Sequence, residues 1–256
     1  MVSKFGALFA GAVLLAALVS VTGGKQLSQH CLSAYATGLG GRTPNQQYNA
    51  RRAALQVDGS VVEPGQTFSF NNAVGQWSSR QGYLLAPVSY NGTLVDDFGG
   101  GVCQTSTTVY NAALLAGMQI VERHSHTFAP GYVSAGRDAA VAYENVDLRF
   151  RNPYSFPVVL HARVINSYMI CGITAMQNPP YHITVDTRVL DTFRAPTAPP
   201  QPGEGLRKSR WQIRGRPGVR VLTIRRCYDS SGNLVRTDQI SDNTYRPIAA
   251  ELCTTQ

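Results

Sequence analysis

Three consecutive glycines, Gly99 to Gly101, separate a predicted β-hairpin from a predicted helix in this sequence. Before them, two apolar runs flank Asn91-Gly92, a dipeptide that favours a two-residue hairpin turn. After them, residues 103–116 carry small and apolar side chains at helical spacing, and Gly117 is suited to end the helix. The chain therefore changes from strand to helix where its backbone is least restricted.

The overall composition favours a β-rich globular fold. Hydrophobic residues make up 43% of the 256 residues, which is enough to fill a core and excludes global disorder. The charged fraction of 15% excludes a charged coiled coil, and 24 glycines and 14 prolines favour strands and turns. We predict an α+β fold, in which a mainly β domain has a Gly-rich loop leading into one central helix. A small C-terminal β-hairpin module is expected to follow.

The first 23 residues (1–23) differ from the rest of the chain. Lys4 precedes an unbroken small and apolar run from Phe5 to Val21, which is typical of a secretory signal peptide. The run is also close to the length that spans a bilayer, so an uncleaved N-terminal anchor is the alternative. Both interpretations place residues 24–256 outside the cytoplasm, secreted or anchored, with membrane contact only through the N-terminal segment.

A proline-rich stretch divides the remainder of the chain. Residues 24–50 are polar and rich in turn formers, and they predict an extended lead-in to a main domain that covers residues 24–188. Residues 189–206 hold the densest proline cluster and are predicted to be a linker. Residues 207–256 are predicted to form a basic module, in which two strands flank the turn at Ser231-Gly232.

The net charge of +8 is concentrated near the start of the C-terminal module. Between residues 201 and 226, eight arginines and lysines stand against a single acid, Glu204. Such a cluster suits anionic cell-wall polymers or lipid headgroups, although a solvated face of a small β module has the same composition. Nucleic acid is not predicted as a partner, because the chain has an export segment and no recognition motif.

Five cysteines in an exported chain suggest two disulfides and one unpaired thiol. The disulfide candidates are Cys31, Cys171, Cys227 and Cys253, and a bond between the last two would close the C-terminal module. The alternative is that all five cysteines are reduced or buried. If the four candidates pair, Cys103 is left over and needs a separate explanation.

Cys103 lies at the predicted start of the helix, directly after the glycines. Helix-start N–H groups lower a thiol pKa and can also stabilise the oxyanion that forms when sulfur attacks a carbonyl. The glycines would let the backbone approach a ligand closely. The candidate oxyanion and substrate-binding residues here are Gly100, Gly101, Gln104 and Thr105. The alternative is a tight turn that carries a small capping residue.

Two histidines follow on the next predicted element. Alternation over residues 118–127 places His124 and His126 on one face, and an antiparallel return would bring that face toward the Gly-rich loop. Either histidine could serve as the base for Cys103, with Asp138 orienting it. Two imidazoles beside a thiolate could instead bind zinc, but no CxxC or HExxH motif accompanies them, so no metal is predicted.

Five motifs occur in the order seen in VanW-like proteins, and together they resemble that family. They are Pro64 to Asn71 (PGQTFSFN), Gly99 to Asn111, Glu122 to His126 (ERHSH), Gly136 to Ala139 (GRDA) and Asp147 to Asn152 (DLRFRN). The resemblance covers roughly residues 35–175 and is carried by long, ordered motifs. Residues 216–247 also look like the tail hairpin that often follows this domain.

The resemblance implies a function and assigns roles to residues. The family name comes from glycopeptide-resistance gene clusters, and members resemble L,D-transpeptidases that join peptidoglycan stem peptides through a cysteine. It places Cys103 at the nucleophile position and favours His126 over His124 as the base. Asp138 is carried over as the orienting residue, and Arg123 of the same motif as a substrate-binding residue. An extracytoplasmic acyltransferase without a cofactor, acting on stem peptides, is implied.

Two other functions fit the same residues. A cysteine peptidase or amidase would release the thioester to water rather than to an acceptor amine. A noncatalytic cell-wall or glycopeptide-response binding protein would keep the cleft and tolerate Cys103→Ser. The products formed from stem peptides distinguish these alternatives.

Overall fold

The fold is known from a computed structural model that describes residues 30–90, 93–196, 210–213, 215–249 and 251–253. The described part contains fourteen β-strands and three α-helices, which confirms the predicted mainly β α+β class. The predicted signal peptide or anchor lies outside the described residues, as do residues 197–206 of the predicted linker. Within the described ranges, no helix is long and apolar enough to cross a membrane.

In chain order the strands are β1 (His30–Gly38), β2 (Val61–Val62), β3 (Thr67–Ser69), β4 (Leu85–Tyr90), β5 (Thr93–Phe98), β6 (Gln119–Glu122), β7 (Arg149–Arg151), β8 (Val158–Ile165), β9 (Tyr168–Ala175), β10 (His182–Phe193), β11 (Arg210–Ile213), β12 (Gly218–Tyr228), β13 (Leu234–Tyr245) and β14 (Glu251–Cys253). The helices are α1 (Pro44–Val57), α2 (Phe70–Val74) and α3 (Val102–Leu115), and a 3₁₀ turn covers Ser79–Gln81.

A four-stranded antiparallel sheet in the order β1-β9-β8-β2 supports the central helix α3. Helix α3 packs against β1 and β9, while α1 packs against β8 and against α3 itself. Tyr110 and Leu114 of α3 and Met169 of β9 are fully buried, so the core lies between the helices and this sheet. The predicted central helix over residues 103–116 is therefore found within one residue of its predicted ends.

The remaining strands form smaller units. These are a sheet in the order β3-β7-β6, the hairpin β4-β5, a sheet in the order β10-β12-β13 and the pair β11-β14. The β12-β13 pair, called the C-terminal hairpin below, turns through Ser231 and Gly232 as predicted. Asp229 stabilises this turn, since its carboxylate accepts the N–H groups of Ser231 and Asn233 at 2.9 Å each.

Two boundaries differ from the sequence-based expectation. The predicted extended lead-in over residues 24–50 is wrong, because β1 pairs with β9 along its length and α1 begins at Pro44. Strand β1 was missed because its residues alternate weakly in hydrophobicity. The predicted linker begins at residue 189, whereas β10 continues to Phe193 through its pairing with β12. The division of the chain into domains stays a prediction.

The C-terminal hairpin shares buried polar contacts with the main domain. The Nη1 of Arg225 donates to the Met118 carbonyl at 2.7 Å, and the Thr223 hydroxyl donates to the Gly136 carbonyl at 3.1 Å. The hydroxyl of Tyr245, which is fully buried, accepts the Gly136 N–H at 2.8 Å. Buried polar groups are costly unless paired, so these contacts specify where the hairpin docks.

Candidate active site

Cys103 lies in the first turn of α3 and is half-buried. Gly101 is the N-cap residue, with a φ of 111° that only glycine adopts readily. The Cys103 thiol contacts the Val141 carbonyl at 3.4 Å and also forms a hydrogen bond with the His126 side chain. The sulfur therefore stands beside an imidazole at the start of a helix, as the sequence predicted.

The surroundings shift the pKa values of Cys103 and His126 toward an ion pair. Burial raises the pKa of Cys103, but the hydrogen bond and charge of His126 outweigh burial and hold that pKa below its ordinary value. Burial lowers the pKa of His126, whereas its hydrogen bonds to Asp138 and Cys103 raise that pKa to about 10. Both shifts favour a thiolate and imidazolium pair, which is the reactive form of a cysteine nucleophile.

Asp138 is fully buried behind His126. Its Oδ2 accepts the backbone N–H of His126 at 2.7 Å and lies 2.6 Å from the Nδ1 of the imidazole. Its Oδ1 accepts from Arg123 Nη2 at 2.8 Å and from the Tyr245 hydroxyl. Burial raises the pKa of Asp138, but His126 and Arg123 together hold it below its ordinary value. The ionised carboxylate orients the imidazole and leaves Nε2 available to Cys103.

Buried polar side chains of α3 hold the segment that carries Asp138. The Ser106 hydroxyl donates to the Ala139 carbonyl at 2.6 Å. The Asn111 Nδ2 donates to the Arg137 carbonyl at 2.7 Å, and the Arg137 Nε donates back to Asn111 Oδ1 at 2.5 Å. Ser106 and Asn111 are both fully buried. Polar residues on a helix with little exposed surface thus serve to position the aspartate.

The three glycines pack against the protein itself, and a contact of Gly100 and Gly101 with a ligand stays a prediction. A Cβ on Gly101 would lie 2.2 Å from the Gln46 carbonyl oxygen, and one on Gly100 would lie 2.8 Å from the Pro87 carbonyl oxygen. Side chains are therefore excluded because α1 and β4 pack directly against this loop.

Gln104 supports the site with its side chain rather than with its backbone. Its N–H donates to the Gly101 carbonyl at 3.1 Å and is therefore occupied. Its buried amide donates to the Gly38 carbonyl at 2.7 Å, which ties the start of α3 to β1. The N–H of Cys103 is left as the candidate oxyanion donor, because helix starts leave their first N–H groups without intrahelical partners.

Thr105 and Arg123 are also supporting residues in the structure. The fully buried Thr105 hydroxyl donates to the Ala50 carbonyl at 3.1 Å and joins α3 to α1. The Arg123 side chain is 5% exposed, and its Nε donates to the backbone carbonyl of Asp138 at 2.6 Å. Both side chains thus have partners within the protein, and their predicted substrate-binding role stays a prediction.

His124 lies apart from His126, although the alternation predicted one common face. The His124 side chain is 47% exposed, and its Nε2 lies 3.0 Å from Glu122 Oε1. Pairing of β6 with β7 shifts register between Ile120 and Glu122, and the strand ends at Glu122, so the regular alternation stops before the histidines. The two imidazoles therefore have different partners, and no cluster of three metal-ligating side chains occurs in the described ranges.

The other cysteines differ from Cys103. Cys31, Cys171 and Cys227 are free thiols, so the described side chains include no disulfide. Cys171 is buried, and burial raises its pKa, whereas Cys31 is exposed. The structure does not describe the side chain of Cys253, so a disulfide between Cys253 and Cys227 stays a prediction.

Two residues of the C-terminal hairpin belong to the site and were not predicted as site residues. Tyr245 donates to Asp138, and the Oδ1 of Asn243 accepts from the Nη1 of Arg123. Alternation along β13 places Asn243 and Tyr245 on one face, which is a signal that the sequence carries. The direction of that face depends on how the hairpin docks.

The site belongs to the Cys-His-Asp class, because it combines a half-buried cysteine, an adjacent histidine and a buried aspartate. It is carried by a mainly β fold of the α+β class. The VanW like protein family matches residues 45–174, a range that contains all three residues. The chain belongs to this VanW-like family, as the motifs predicted.

Two curated relatives are similar to the chain. It is 35% identical over 175 residues to the "Uncharacterized protein YoaR" of Bacillus subtilis (strain 168), an alignment that covers 68% of this chain and 56% of that protein. It is 31% identical over 113 residues to the "Vancomycin B-type resistance protein VanW" of Enterococcus faecalis (strain ATCC 700802 / V583), covering 42% and 41% respectively. The matches thus span about half the length of these relatives.

Proposed function

We propose that this chain is an extracytoplasmic acyltransferase of the L,D-transpeptidase type that acts on peptidoglycan stem peptides. The observation that carries the proposal is the hydrogen-bonded series from the Cys103 thiol through His126 to the buried carboxylate of Asp138. The cell-wall substrate is inferred from membership of the VanW-like family and from the vancomycin-resistance relative. Export is inferred from the apolar run in residues 1–23.

In the first half-reaction, the Cys103 thiolate attacks the carbonyl carbon of the bond between an L-centre and D-Ala in a donor stem. The C–S bond forms, the C–N bond breaks, and the proton held by His126 passes to the departing amine. Thioester formation removes the thiolate charge that helps to raise the pKa of His126. The imidazolium therefore becomes a stronger acid as the amine leaves.

In the second half-reaction, a side-chain amine of an acceptor stem attacks the thioester. Its proton passes to the neutral His126, the new C–N bond forms, and the C–S bond breaks to regenerate the thiolate and imidazolium pair. Water in place of the amine would give a hydrolysed stem, so the acceptor decides between transfer and hydrolysis. We assign stabilisation of the oxyanion in both steps to the Cys103 N–H, which lies in the first turn of α3.

Mass spectrometry of the purified protein with muropeptides tests this function. We expect an adduct on Cys103 with the mass of the donor stem less its terminal D-Ala, followed by crosslinked products. Cys103→Ala should form no adduct, whereas Cys31→Ala, which removes an exposed thiol elsewhere, should behave as the wild type. Hydrolysed stems without crosslinks would assign a peptidase or amidase instead. Binding without any adduct or product would assign a noncatalytic protein.

Anionic wall polymers are a further proposed partner, through the basic residues of the C-terminal hairpin. Several of these charges are paired: Arg220 with Asp242 at 2.7 Å and Arg225 with Asp238 at 3.0 Å. Pairing lowers the net positive field, so any attraction should be modest and sensitive to salt. Pulldown on purified cell walls at increasing salt tests it, and binding that salt does not weaken would contradict an electrostatic partner.

A further inference from the structure

Arg42 lies in the loop between β1 and α1, next to the start of α3. Its Nε donates to Gln104 Oε1 at 3.1 Å. Gln104 is itself buried, and its amide is held by the Thr37 hydroxyl at 3.1 Å and the Gly38 carbonyl at 2.7 Å. One edge of the Arg42 guanidinium is therefore fixed by the residue that follows Cys103.

The face of the same guanidinium packs on Tyr132. The Cζ of Arg42 lies 5.0 Å from the Tyr132 ring centroid. The Tyr132 hydroxyl lies 3.4 Å from the Cys103 carbonyl oxygen, so this tyrosine contacts both the arginine and the helix turn that carries the thiol. A planar cation held by a hydrogen bond at one edge and an aromatic ring at its face loses little further freedom on binding.

Arg42 has no carboxylate partner among the residues that the structure describes, in contrast to Arg123, Arg220 and Arg225. Its hydrogen bond to Gln104 uses Nε alone, and within the described ranges neither Nη1 nor Nη2 is hydrogen-bonded. The two terminal nitrogens form the edge that binds a carboxylate with two parallel hydrogen bonds. A held cation with this edge open suits an anionic group on a ligand.

We propose that Arg42 binds the C-terminal carboxylate of the donor stem peptide and so makes the terminal peptide bond the one presented to Cys103. This inference rests on the proposed acyltransferase function. The carboxylate is separated from the leaving nitrogen by one Cα, so a cation held against the first turn of α3, through Gln104 and Tyr132, can bind it while the carbonyl meets the sulfur. Stems whose scissile bond is internal lack this carboxylate. Arg42 therefore makes the site specific for stems that are cleaved at their last peptide bond.

Alkylation of Cys103 with a matched pair of probes tests the anion site without any acyltransferase activity. Iodoacetate and iodoacetamide react by the same displacement, in which the C–S bond forms and iodide leaves, but only iodoacetate carries a carboxylate. In Arg42→Gln we expect the ratio of the iodoacetate rate to the iodoacetamide rate to fall about tenfold, equivalent to about 1.4 kcal/mol. The iodoacetamide rate should stay unchanged.

Arg51→Gln is the matched control, because it removes the same charge from an exposed position on α1. It should leave the ratio unchanged, as should measurement at the exposed Cys31 in either variant. An equal fall in Arg51→Gln would mean that net charge alone acts, and it would overturn the site. If Arg42→Gln lowers the iodoacetamide rate but leaves the iodoacetate to iodoacetamide ratio unchanged, Arg42 has a structural role. That result would also overturn the anion site.

Donor peptides with a free C-terminal acid or a C-terminal carboxamide test the same site in acyl transfer. Wild-type protein should form the Cys103 thioester faster with the acid, and Arg42→Gln should lose that preference by slowing the acid alone. An undiminished preference for the acid in Arg42→Gln would overturn the inference while leaving the acyltransferase intact. If the alkylation ratio depends on Arg42 but no thioester forms with any donor, the anion site stands and the proposed function fails.

Discussion

The two sides of His126 are held in very different ways. On the Asp138 side, the carboxylate is fully buried and binds the imidazole at 2.6 Å, the Arg123 guanidinium at 2.8 Å and the Tyr245 hydroxyl. On the Cys103 side, the thiol is half-buried, and its backbone contact is a 3.4 Å approach to a carbonyl oxygen. The difference indicates that rigid packing orients the imidazole of His126, while the sulfur of Cys103 stays partly accessible.

The Asp138 side also draws on a part of the chain that the Cys103 side does not use. The residues proposed to react, Cys103 and His126, lie within the range 45–174 that matches the family. Tyr245, which holds Asp138 from behind, lies outside that range on the C-terminal hairpin. The hairpin therefore completes the rigid side of the site, and the following variants should affect the two sides unequally.

Cys103→Ala should abolish thioester formation and lower turnover by about a millionfold, as is typical when a nucleophile is removed. The change should leave the fold intact, because only a half-buried sulfur is lost and Asp138 remains as the counterion of His126. Rates of muropeptide crosslinking, together with thermal unfolding, measure both effects. Near-wild-type crosslinking by this variant would eliminate the cysteine mechanism.

His126→Ala should slow acyl transfer by up to about ten-thousandfold, the upper range for a general acid and base. Without the imidazolium, burial is opposed only by the smaller effect of the Val141 carbonyl contact, so the pKa of Cys103 should rise above its ordinary value of 9.0. The pH midpoint of Cys103 alkylation should therefore move from below 9.0 in the wild type to above it. His124→Ala is the control, and a larger shift there would reverse the assignment of the base.

Asp138→Ala should reduce the free energy of unfolding by about 3–5 kcal/mol, because the buried guanidinium of Arg123 would lose its counterion. The native pKa of Asp138 is depressed, so its stabilising effect is present above its ordinary pKa of about 3.9 and is lost as the pH falls through the native value. Denaturant unfolding across pH should show the variant and wild type converging in acid. Asp96→Ala, at an exposed position, should cost less than about 0.5 kcal/mol.

Tyr245→Phe should have the smallest effect of the four, a loss of about 1.5 kcal/mol in the free energy of unfolding. The change removes the hydroxyl that donates to Asp138 and accepts the Gly136 N–H. Tyr168→Phe is a matched control, since that ring is 54% exposed. Equal stability of the Tyr245 and Tyr168 variants would show that the hairpin does not support the rigid side of the site.

Local patterns were sufficient to predict several elements. Helical spacing after the glycines predicted a helix over residues 103–116, and α3 covers Val102–Leu115. Turn residues predicted the hairpin turn at Ser231-Gly232, which joins β12 and β13. Both predictions succeed because side-chain period and turn chemistry are local properties of the chain. Strand β1 was not predicted, because its residues alternate only weakly in hydrophobicity and the segment is held as a strand by pairing with β9.

The sequence by itself determined the mainly β α+β class, the family, and the position of Cys103 at a helix start beside motifs that carry a histidine and an aspartate. The family motifs already favoured His126 over His124. Only the tertiary structure decided that His124 lies exposed beside Glu122, that the glycines pack against α1 and β4, and that Tyr245 reaches Asp138. The physical reason is distance along the chain. Periodicity and turn chemistry act over a few residues. After a strand changes register, the direction of the following side chains depends on packing between segments that are far apart in the chain.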